Sequence, residues 1–325
     1  MMGGSFVDRV RGLVRRSGEV RGRPAILLYH RIATEVFDPW SLAVSPEHFA
    51  EQMEWLACNR TILPLAEFAR THSEGTLASD ATAITFDDGY ACNVQVAAPI
   101  LERLGLPATI FLPAEIVEQG RPFWWDELQA IVIDHPGEET RLDEEAIALG
   151  PRQEADRHWV PGAPPRTQRQ RAFMAIWSRL RTRTSDRLSS ALGELRGDAE
   201  SAPLDKLKRP MTIEEARSVA SPIQFGSHAL THRSLPTLSP ADKAQEIRES
   251  KERCEAITGR TAECFAYPFG DADADCLDLV QSAGFDCACI TGERFVGPTA
   301  HSYALPRIGV GDFGADRFAQ RVGRA

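Results

Sequence analysis

An adjacent pair of aspartates at the predicted end of a buried strand constrains this chain more than any other feature of its sequence. The apolar run Ala83-Ile84 leads into Thr85-Phe86-Asp87-Asp88-Gly89-Tyr90, where the glycine lets the chain turn. Neighbouring carboxylates repel one another, so their place at a strand end indicates a positive partner, such as a metal ion. One aspartate could then bind the metal while the other acts as a base.

Two histidines four residues apart follow a second predicted strand end. The strand covers 223–226 and continues into Ser227-His228-Ala229-Leu230-Thr231-His232. On one helical turn, this spacing would place both imidazoles on the same side. Together with a carboxylate they make three protein ligands, the number expected of an open catalytic zinc site. The pattern therefore predicts one divalent metal ion, with zinc as the expected metal, in preference to purely structural histidines.

Strands and helices alternate along both ends of the chain. Strands are predicted at 25–29, 82–86, 107–112, 223–226, 263–267, 286–290 and 303–310, and helices from Pro46 and at 93–104, 240–257 and 275–283. This alternation indicates parallel βα units, and about seven such strands favour an α/β barrel. Residues 135–210 contain helical stretches and no convincing strand, so we predict a helical insertion in the barrel at about 121–210.

Charge and composition restrict the classes of partner. The 325 residues, 43% of them hydrophobic, suffice for one large α/β domain, and the net charge of −9 argues against nucleic-acid binding. Residues 1–24 are rich in arginine and are predicted to form a solvated basic arm. Peripheral contact of this arm with the inner membrane surface is the alternative.

Two absences from the sequence favour a cytoplasmic protein. The N-terminus has no apolar segment typical of a signal peptide, and no later run is long enough to span a membrane. The seven cysteines include no CxxC pair, which indicates reduced core residues. A metal role for Cys287 and Cys289 is the weaker alternative.

The two motifs together resemble those of polysaccharide deacetylases with NodB homology, carbohydrate esterase family 4. The resemblance covers about 25–120 and 211–310. It implies a distorted (β/α)7 barrel, here occupying 25–325 and interrupted by the insertion at about 121–210. The reaction implied is metal-dependent hydrolysis of an N-acyl group.

The resemblance also implies roles for individual residues. Asp87 would be the general base, and the metal ligands would be Asp88, His228 and His232.

A third motif of that family is similar to Phe265-Ala266-Tyr267-Pro268-Phe269-Gly270. The residue after the proline donates a backbone N–H to the oxyanion in the family, which corresponds to Phe269, and Tyr267 is a further candidate for substrate contact. The motif's usual arginine is replaced by Ala266. Arg307, in the last predicted strand, is the candidate to orient the base, and a structural ion pair is its alternative role.

The proton donor of the family's fifth motif is also absent from the last strand. Tyr29-His30 resembles instead an early Tyr-His pair in poly-N-acetylglucosamine deacetylases. His30 is therefore the candidate acid that protonates the leaving amine, and a core histidine that caps Arg31 or a loop carbonyl is the alternative. Of Trp124 and Trp125, one is expected in the core. The other, with Trp125 as the candidate, could stack on a sugar ring.

These expectations describe a metal-dependent enzyme that removes an N-acetyl or other N-acyl group from an amino sugar. The sugar would belong to a surface polysaccharide or to its nucleotide-linked or lipid-linked precursor. Hydrolysis of a non-sugar amide or cyclic imide on the same barrel is one alternative. A carbohydrate-binding homologue without catalytic activity is another, since the family's usual arginine and terminal histidine are missing.

Overall fold

Parallel strands from both ends of the chain form one sheet in the computed structural model, which describes residues 22–160, 162–197 and 206–323. The strands are β1 (Ala25–Tyr29), β2 (Arg31–Ile32), β3 (Ala43–Val44), β4 (Thr61–Ile62), β5 (Ala81–Phe86), β6 (Ala108–Leu112), β7 (Glu139–Leu142), β8 (Glu145–Ala148), β9 (Ile223–Ser227), β10 (Cys264–Ala266), β11 (Cys287–Thr291) and β12 (Leu305–Gly309).

Seven of these strands close into a barrel. The order is β1-β12-β11-β10-β9-β6-β5, and β5 pairs back with β1 to complete the ring, while β4 adds a short edge beside β5. All pairs in the ring are parallel. The predicted (β/α)7 barrel is confirmed.

Helices surround the barrel and fill the middle of the chain. They are α1 (Pro46–Asn59), α2 (Leu65–Ser73), α3 (Ala98–Leu104), α4 (Ala114–Gln119), α5 (Trp124–Ile133), α6 (Gln168–Leu180), α7 (Ser185–Arg196), α8 (Ile213–Ser218), α9 (Pro240–Thr258), α10 (Ala274–Ser282) and α11 (Ala315–Gly323). A π-helical turn, Asn93–Ala97, precedes α3. Pro99 has no N–H to continue the ordinary ladder, which accounts for the break inside the predicted 93–104 helix.

The register of the strands brings two sequence-distant ends to one rim. All six residues of β5 are buried, and the Thr85 hydroxyl is satisfied by the Leu27 carbonyl at 2.7 Å. Tyr29 of β1 lies opposite Phe86 of β5, so the residues that follow each strand, His30 and Asp87, leave the barrel at the same edge. Carboxyl ends of barrel strands are where this architecture places its sites.

The insertion differs from the prediction in one respect, because it contains strands. β7 and β8 form an antiparallel hairpin, with Asp143 and Glu144 in the left-handed conformation at its turn. Thr140 and Leu142 are buried while their neighbours are exposed, an alternation typical of a strand. The expectation of no strand was wrong, since the many charged residues of this segment conceal so short an alternation.

The insertion and the barrel share an apolar cluster. Residues of α5, α6 and α7, including Leu128, Phe173 and Leu195, pack with Phe37 and Tyr90 from the barrel loops. The insertion therefore lies directly over one side of the barrel rim.

Some predictions fall outside or only partly inside the described residues. The predicted basic arm is described only from residue 22, so its predicted membrane contact lies outside the described residues. All seven cysteines are free, and only Cys58 is exposed. Within the described ranges, no helix combines the length and the apolar character needed to cross a bilayer.

Candidate metal and catalytic site

The aspartate pair forms a sharp turn at the carboxyl end of β5. The Asp87 amide donates to the Tyr29 carbonyl at 2.9 Å, which continues the strand pairing by one residue. Asp88 and Gly89 then adopt left-handed φ values of 69° and 64°. A Cβ at Gly89 would lie 2.4 Å from a methyl carbon of Leu112, so glycine is required there. Both carboxylates are only 3% exposed.

The two histidines lie on a loop that follows β9, not on a helical turn as predicted. Ala229 and His232 have φ values of 61° and 59°, which a right-handed helix cannot contain. The Glu246 carboxylate accepts the amides of Leu230 and Thr231 at 3.0 and 2.9 Å and holds the loop in this shape. A four-residue spacing alone could not reveal this buried carboxylate on α9.

His228 is oriented by the backbone of the neighbouring strand. Its Nδ1 lies 2.7 Å from the Ala266 carbonyl, so Nδ1 carries the proton and donates it. This leaves Nε2 as an acceptor, 3.7 Å from a carboxylate oxygen of Asp87 and of Asp88. Burial lowers the pKa of His228 to about 4, so the ring is neutral near pH 7.

Asp88, His228 and His232 form the one cluster among the described residues with the composition of a metal site. One ligand atom from each lies within 4.8 Å of the others. Asp88 Oδ1 is buried without a hydrogen-bond partner, although His232 Nε2 is 3.2 Å away. A buried carboxylate oxygen without a partner is costly, and a cation would satisfy it. Two imidazoles and a carboxylate therefore fit a divalent ion with further positions for water or substrate.

Asp87 is not in that cluster and is held by Arg307 instead. The guanidinium donates to the two carboxylate oxygens at 2.6 and 2.7 Å, and Arg307 is fully buried. Burial alone would raise the pKa of Asp87, but Arg307, aided by His228, outweighs burial and holds the pKa well below its usual range. Asp87 is therefore an oriented, ionised carboxylate beside the metal cluster.

Two other predicted residues, His30 and Phe269, line the cleft that Asp87 and the metal cluster also line. His30 lines it, and no described residue forms a hydrogen bond with its ring. Burial lowers the pKa of His30 against the opposing effect of Asp88 and Asp87. Phe269 has a left-handed φ of 59°, and within the described chain nothing accepts its amide N–H. An uncommon backbone conformation at a cleft is typical of a functional position.

The remaining aromatic predictions need correction. Tyr267 is fully buried, and its hydroxyl donates to the Tyr303 carbonyl at 3.1 Å, so its side chain is part of the barrel core and not of the cleft. Trp125 does line the cleft, but it is only 7% exposed, too little for a ring to stack on a substrate. Its indole packs 4.8 Å from the His232 ring, and its N–H donates to the Tyr90 hydroxyl at 2.8 Å.

A buried ion pair behind Trp125 was missed in the sequence. Asp126 accepts a hydrogen bond from Arg31 at 2.7 Å and one from Tyr90 at 3.0 Å, and it is 3% exposed. This contact accounts for the aspartate at the start of α5. The only signal of this ion pair in the sequence is the position of Arg31, directly after His30.

Comparison with known proteins finds similarity to one family in two segments of the chain. The polysaccharide deacetylase model matches residues 74–135 and 208–288. The Bacillus subtilis protein YxkH, assigned as a polysaccharide deacetylase, is 36% identical over 89 residues, which span 27% of this chain and 30% of that relative. In these segments the chain is similar to polysaccharide deacetylases. Less than a third of the curated relative is covered by this match.

Solved structures support the barrel fold. The Streptococcus pyogenes deacetylase PplD, in complex with acetate, superposes with a TM-score of 0.59 at 17% identity and covers 93% of this chain and 99% of its own. A Bacillus anthracis polysaccharide deacetylase gives a TM-score of 0.54 at 18% identity, covering 92% of this chain and 69% of its own. At such identities the likeness concerns the fold alone.

The matched segments divide the site. They contain the aspartate pair, both histidines and Phe269, but they exclude His30 and Arg307. They also leave out residues 136–207, most of the predicted insertion.

Proposed function

We propose that this protein is a metal-dependent hydrolase that removes N-acetyl groups from amino sugars of a surface polysaccharide or its precursor. The similarity to polysaccharide deacetylases supports the reaction class. The substrate, the metal and the residue roles are the proposal.

One observation carries this proposal. An ionised carboxylate, Asp87, lies beside a three-residue metal cluster without belonging to it, and Arg307 fixes both of its oxygens. A protein that only binds carbohydrate has no need of an oriented free carboxylate at that position. The geometry is that of a base placed next to a Lewis acid.

Asp88, His228 and His232 would hold the metal ion, for which zinc is proposed because two imidazoles and one carboxylate suit it. When bound, such an ion would polarise the amide carbonyl and increase the acidity of water. Burial keeps His228 neutral, and the hydrogen bond to the Ala266 carbonyl holds the proton on Nδ1, which leaves Nε2 available as a ligand.

The chain's own residues would carry the proton transfers. Asp87 accepts a proton from the attacking water, whose oxygen bonds to the carbonyl carbon. The free amide of Phe269 donates to the carbonyl oxygen as negative charge develops there. His30, in its protonated form, then gives a proton to the nitrogen as the C–N bond breaks, and the proton that Asp87 took from water restores His30, so that a carboxylic acid and an amine are released.

The position of Arg307 weakens one argument for the alternative that this chain is an inactive homologue. Ala266 leaves no arginine in the third motif, yet a guanidinium from β12 occupies the place beside the base. A missing motif residue therefore does not mean a missing contact.

The test is a comparison of two asparagine variants on the same cleft. Asp87→Asn is expected to keep bound metal but lose acetate release by about 10²–10⁴-fold, the usual contribution of general acid–base catalysis. Asp312→Asn, a matched change on the cleft wall away from the metal cluster, is expected to keep both. The measurements are metal content of the purified protein and acetate release from N-acetylglucosamine oligomers.

A third variant completes the test. His228→Ala is expected to lose metal and activity together. Full activity of Asp87→Asn would exclude it as the base, and metal-loaded protein that hydrolyses small amides but no acetylated sugar would favour the non-sugar amidase. The cytoplasmic location and the membrane contact of the basic arm stay predictions.

A further inference from the structure

Two tryptophans outside the predicted site line the same cleft. Trp40 lies in the loop between β2 and β3, and Trp177 lies on α6 of the insertion. Their rings pack at a centroid distance of 4.5 Å, and both are partly exposed, in contrast to Trp124 and Trp125.

This tryptophan pair is connected to the metal cluster through one ring. Trp177 is 6.2 Å from the ring of Phe269, which is itself 4.8 Å from the ring of His232. The pair therefore lies next to the proposed reaction centre but one side chain removed from it.

The loop that carries Trp40 is fixed in place. The Asp38 carboxylate accepts the amides of Leu42 and Ala43, both at 2.9 Å, and it also faces Arg31 at 3.5 Å. Ser41 completes the turn in the left-handed conformation, with a φ of 57°. A ring held this way loses little freedom when a ligand binds to it.

The aromatic and hydrogen-bonding contacts of Trp40 within the protein are incomplete. Trp177 is its only ring partner in the described part of the chain, and the indole is partly exposed and lines the cleft. Its indole N–H is buried and has no hydrogen-bond partner. Buried tryptophan N–H groups usually find an acceptor, so Trp40 is less fully satisfied by the protein than Trp125, whose N–H donates to Tyr90.

The cleft is larger than one acetylated sugar requires. Its volume is about 1180 Å³, above the roughly 300–1000 Å³ typical of sites for drug-sized ligands. Arg181, which is ion-paired with Asp271 at 3.1 Å, adds polar groups beside the tryptophan pair. A flat apolar face beside hydrogen-bonding groups is suited to a pyranose ring, which has apolar C–H faces and hydroxyl edges.

We propose that Trp40, backed by Trp177, is a subsite for a second sugar ring, next to the one that is deacetylated. This inference rests on the proposed function and makes it more specific, because the preferred substrate would be an oligosaccharide or polymer and not a single acetylated sugar. Both tryptophans lie outside the segments matched by the family model, so the subsite belongs to this chain's own loop and insertion.

The test measures chain-length preference. The probes are N-acetylglucosamine and its β-1,4-linked and β-1,6-linked pentamers, with acetate release as the readout. Trp40→Ala is expected to lower kcat/KM for at least one pentamer by about tenfold, the factor that corresponds to the loss of one good aromatic contact. Values for the monosaccharide are expected to stay within about twofold. Trp40→Phe, which keeps a flat ring, is expected to recover most of the loss.

A matched control separates an aromatic subsite from a general effect on the cleft wall. Val36 is 62% exposed and lines the same cleft. Val36→Ser is expected to leave the chain-length preference unchanged. An equal loss for the monosaccharide and pentamers in Trp40→Ala, or no loss in either, would overturn the subsite.

Binding distinguishes failure of the subsite from failure of the proposed reaction. In Asp87→Asn protein, pentamer affinity measured by calorimetry is expected to fall about tenfold when Trp40→Ala is added. Suppose that the unsubstituted protein releases no acetate from any probe, while pentamer affinity still falls when Trp40→Ala is added to Asp87→Asn. The subsite then stands and the proposed reaction is wrong. If acetate is released and neither kcat/KM nor affinity depends on Trp40, the reaction stands and the subsite is wrong.

Discussion

The barrel rim and the insertion each contain one fully buried arginine, and the two are used differently. Arg307 on the rim donates to the carboxylate of Asp87. Arg169 in the insertion, 1% exposed, donates instead to four backbone carbonyls, those of Val132, His135, Gly137 and Gly150. The first arginine positions one chemical group, whereas the second ties together the ends of loops.

The electrostatic consequences of the two environments are opposite. Burial lowers the pKa of Arg169, since neutral carbonyls and a carboxylate 3.8 Å away do not offset it. Burial also acts to lower the pKa of Arg307, but Asp87 outweighs it and raises the pKa. A buried guanidinium therefore indicates a functional site only when its partner is a charged group that can itself take part in a reaction.

Replacing Arg307 should have the largest effect. Arg307→Met leaves Asp87 buried without its partner, which is expected to cost about 3–5 kcal/mol of unfolding free energy. Activity should fall by about 10²–10³-fold, because the base loses its orientation. Without the guanidinium, burial raises the pKa of Asp87, so the acid limb of the kcat/KM profile should move to higher pH. Urea unfolding and pH–rate profiles measure the two effects.

Arg307→Lys sharpens this result. Lysine keeps the charge but cannot donate in a parallel pair, so partial stability with a smaller shift of the acid limb is expected. An unchanged pH profile in both variants would show that Arg307 is only a structural ion-pair partner.

Replacing Arg169 should affect stability without affecting chemistry. Arg169→Met leaves buried carbonyls without donors, and after relaxation a loss of about 3 kcal/mol is expected. The pH–rate profile for acetate release from N-acetylglucosamine should keep its shape, because Arg169 does not line the cleft. A shifted acid limb in this variant would contradict the division of labour between the two arginines.

A half-exposed pair gives the smallest effect and a defined pH dependence. Hydrogen bonds from Arg209, at 2.7 Å, lower the pKa of Glu215 from 4.5 to about 2. Because the folded-state pKa is the lower one, this pair stabilises the protein above pH 4.5, and the contribution disappears as the pH falls towards 2. Glu215→Gln should therefore cost about 1 kcal/mol at pH 7.

Glutamine keeps the capping-box geometry with Thr212, so the variant isolates the charge. Urea midpoints at pH 7, 5 and 3.5 should show the difference from the parent protein shrinking at the lowest pH. A difference that stays constant with pH would assign the effect to packing.

The positions of residues at strand ends could be predicted from the sequence. The barrel followed from the alternation of strands and helices, and the parallel register then brings His30 and Asp87 to one edge. Arg307, in the last predicted strand, was the candidate because Ala266 replaces the usual arginine of the third motif. Their roles stay predictions, but their meeting at one rim depends only on topology.

Other features depend on contacts that leave no local pattern. The left-handed φ of His232 is imposed by Glu246 from a distant helix, against the helical spacing of the motif. Trp40 and Trp177 meet only because the insertion folds over the rim. The direction of the Tyr267 side chain was likewise decided by packing, since its motif fixes only the backbone.

The ring of strands closes between the first and the last strand of the chain, because β1 pairs with β12 as well as with β5. The barrel cannot close during synthesis until residues near 305–309 have emerged, and pairings between such distant segments form slowly. Asp87 and Arg307 stand 220 residues apart in the chain and meet across this late closure. Chains released before their last strand would therefore contain Asp88, His228 and His232 but no Arg307 to hold Asp87, which makes the Asp87–Arg307 contact a marker of completed folding.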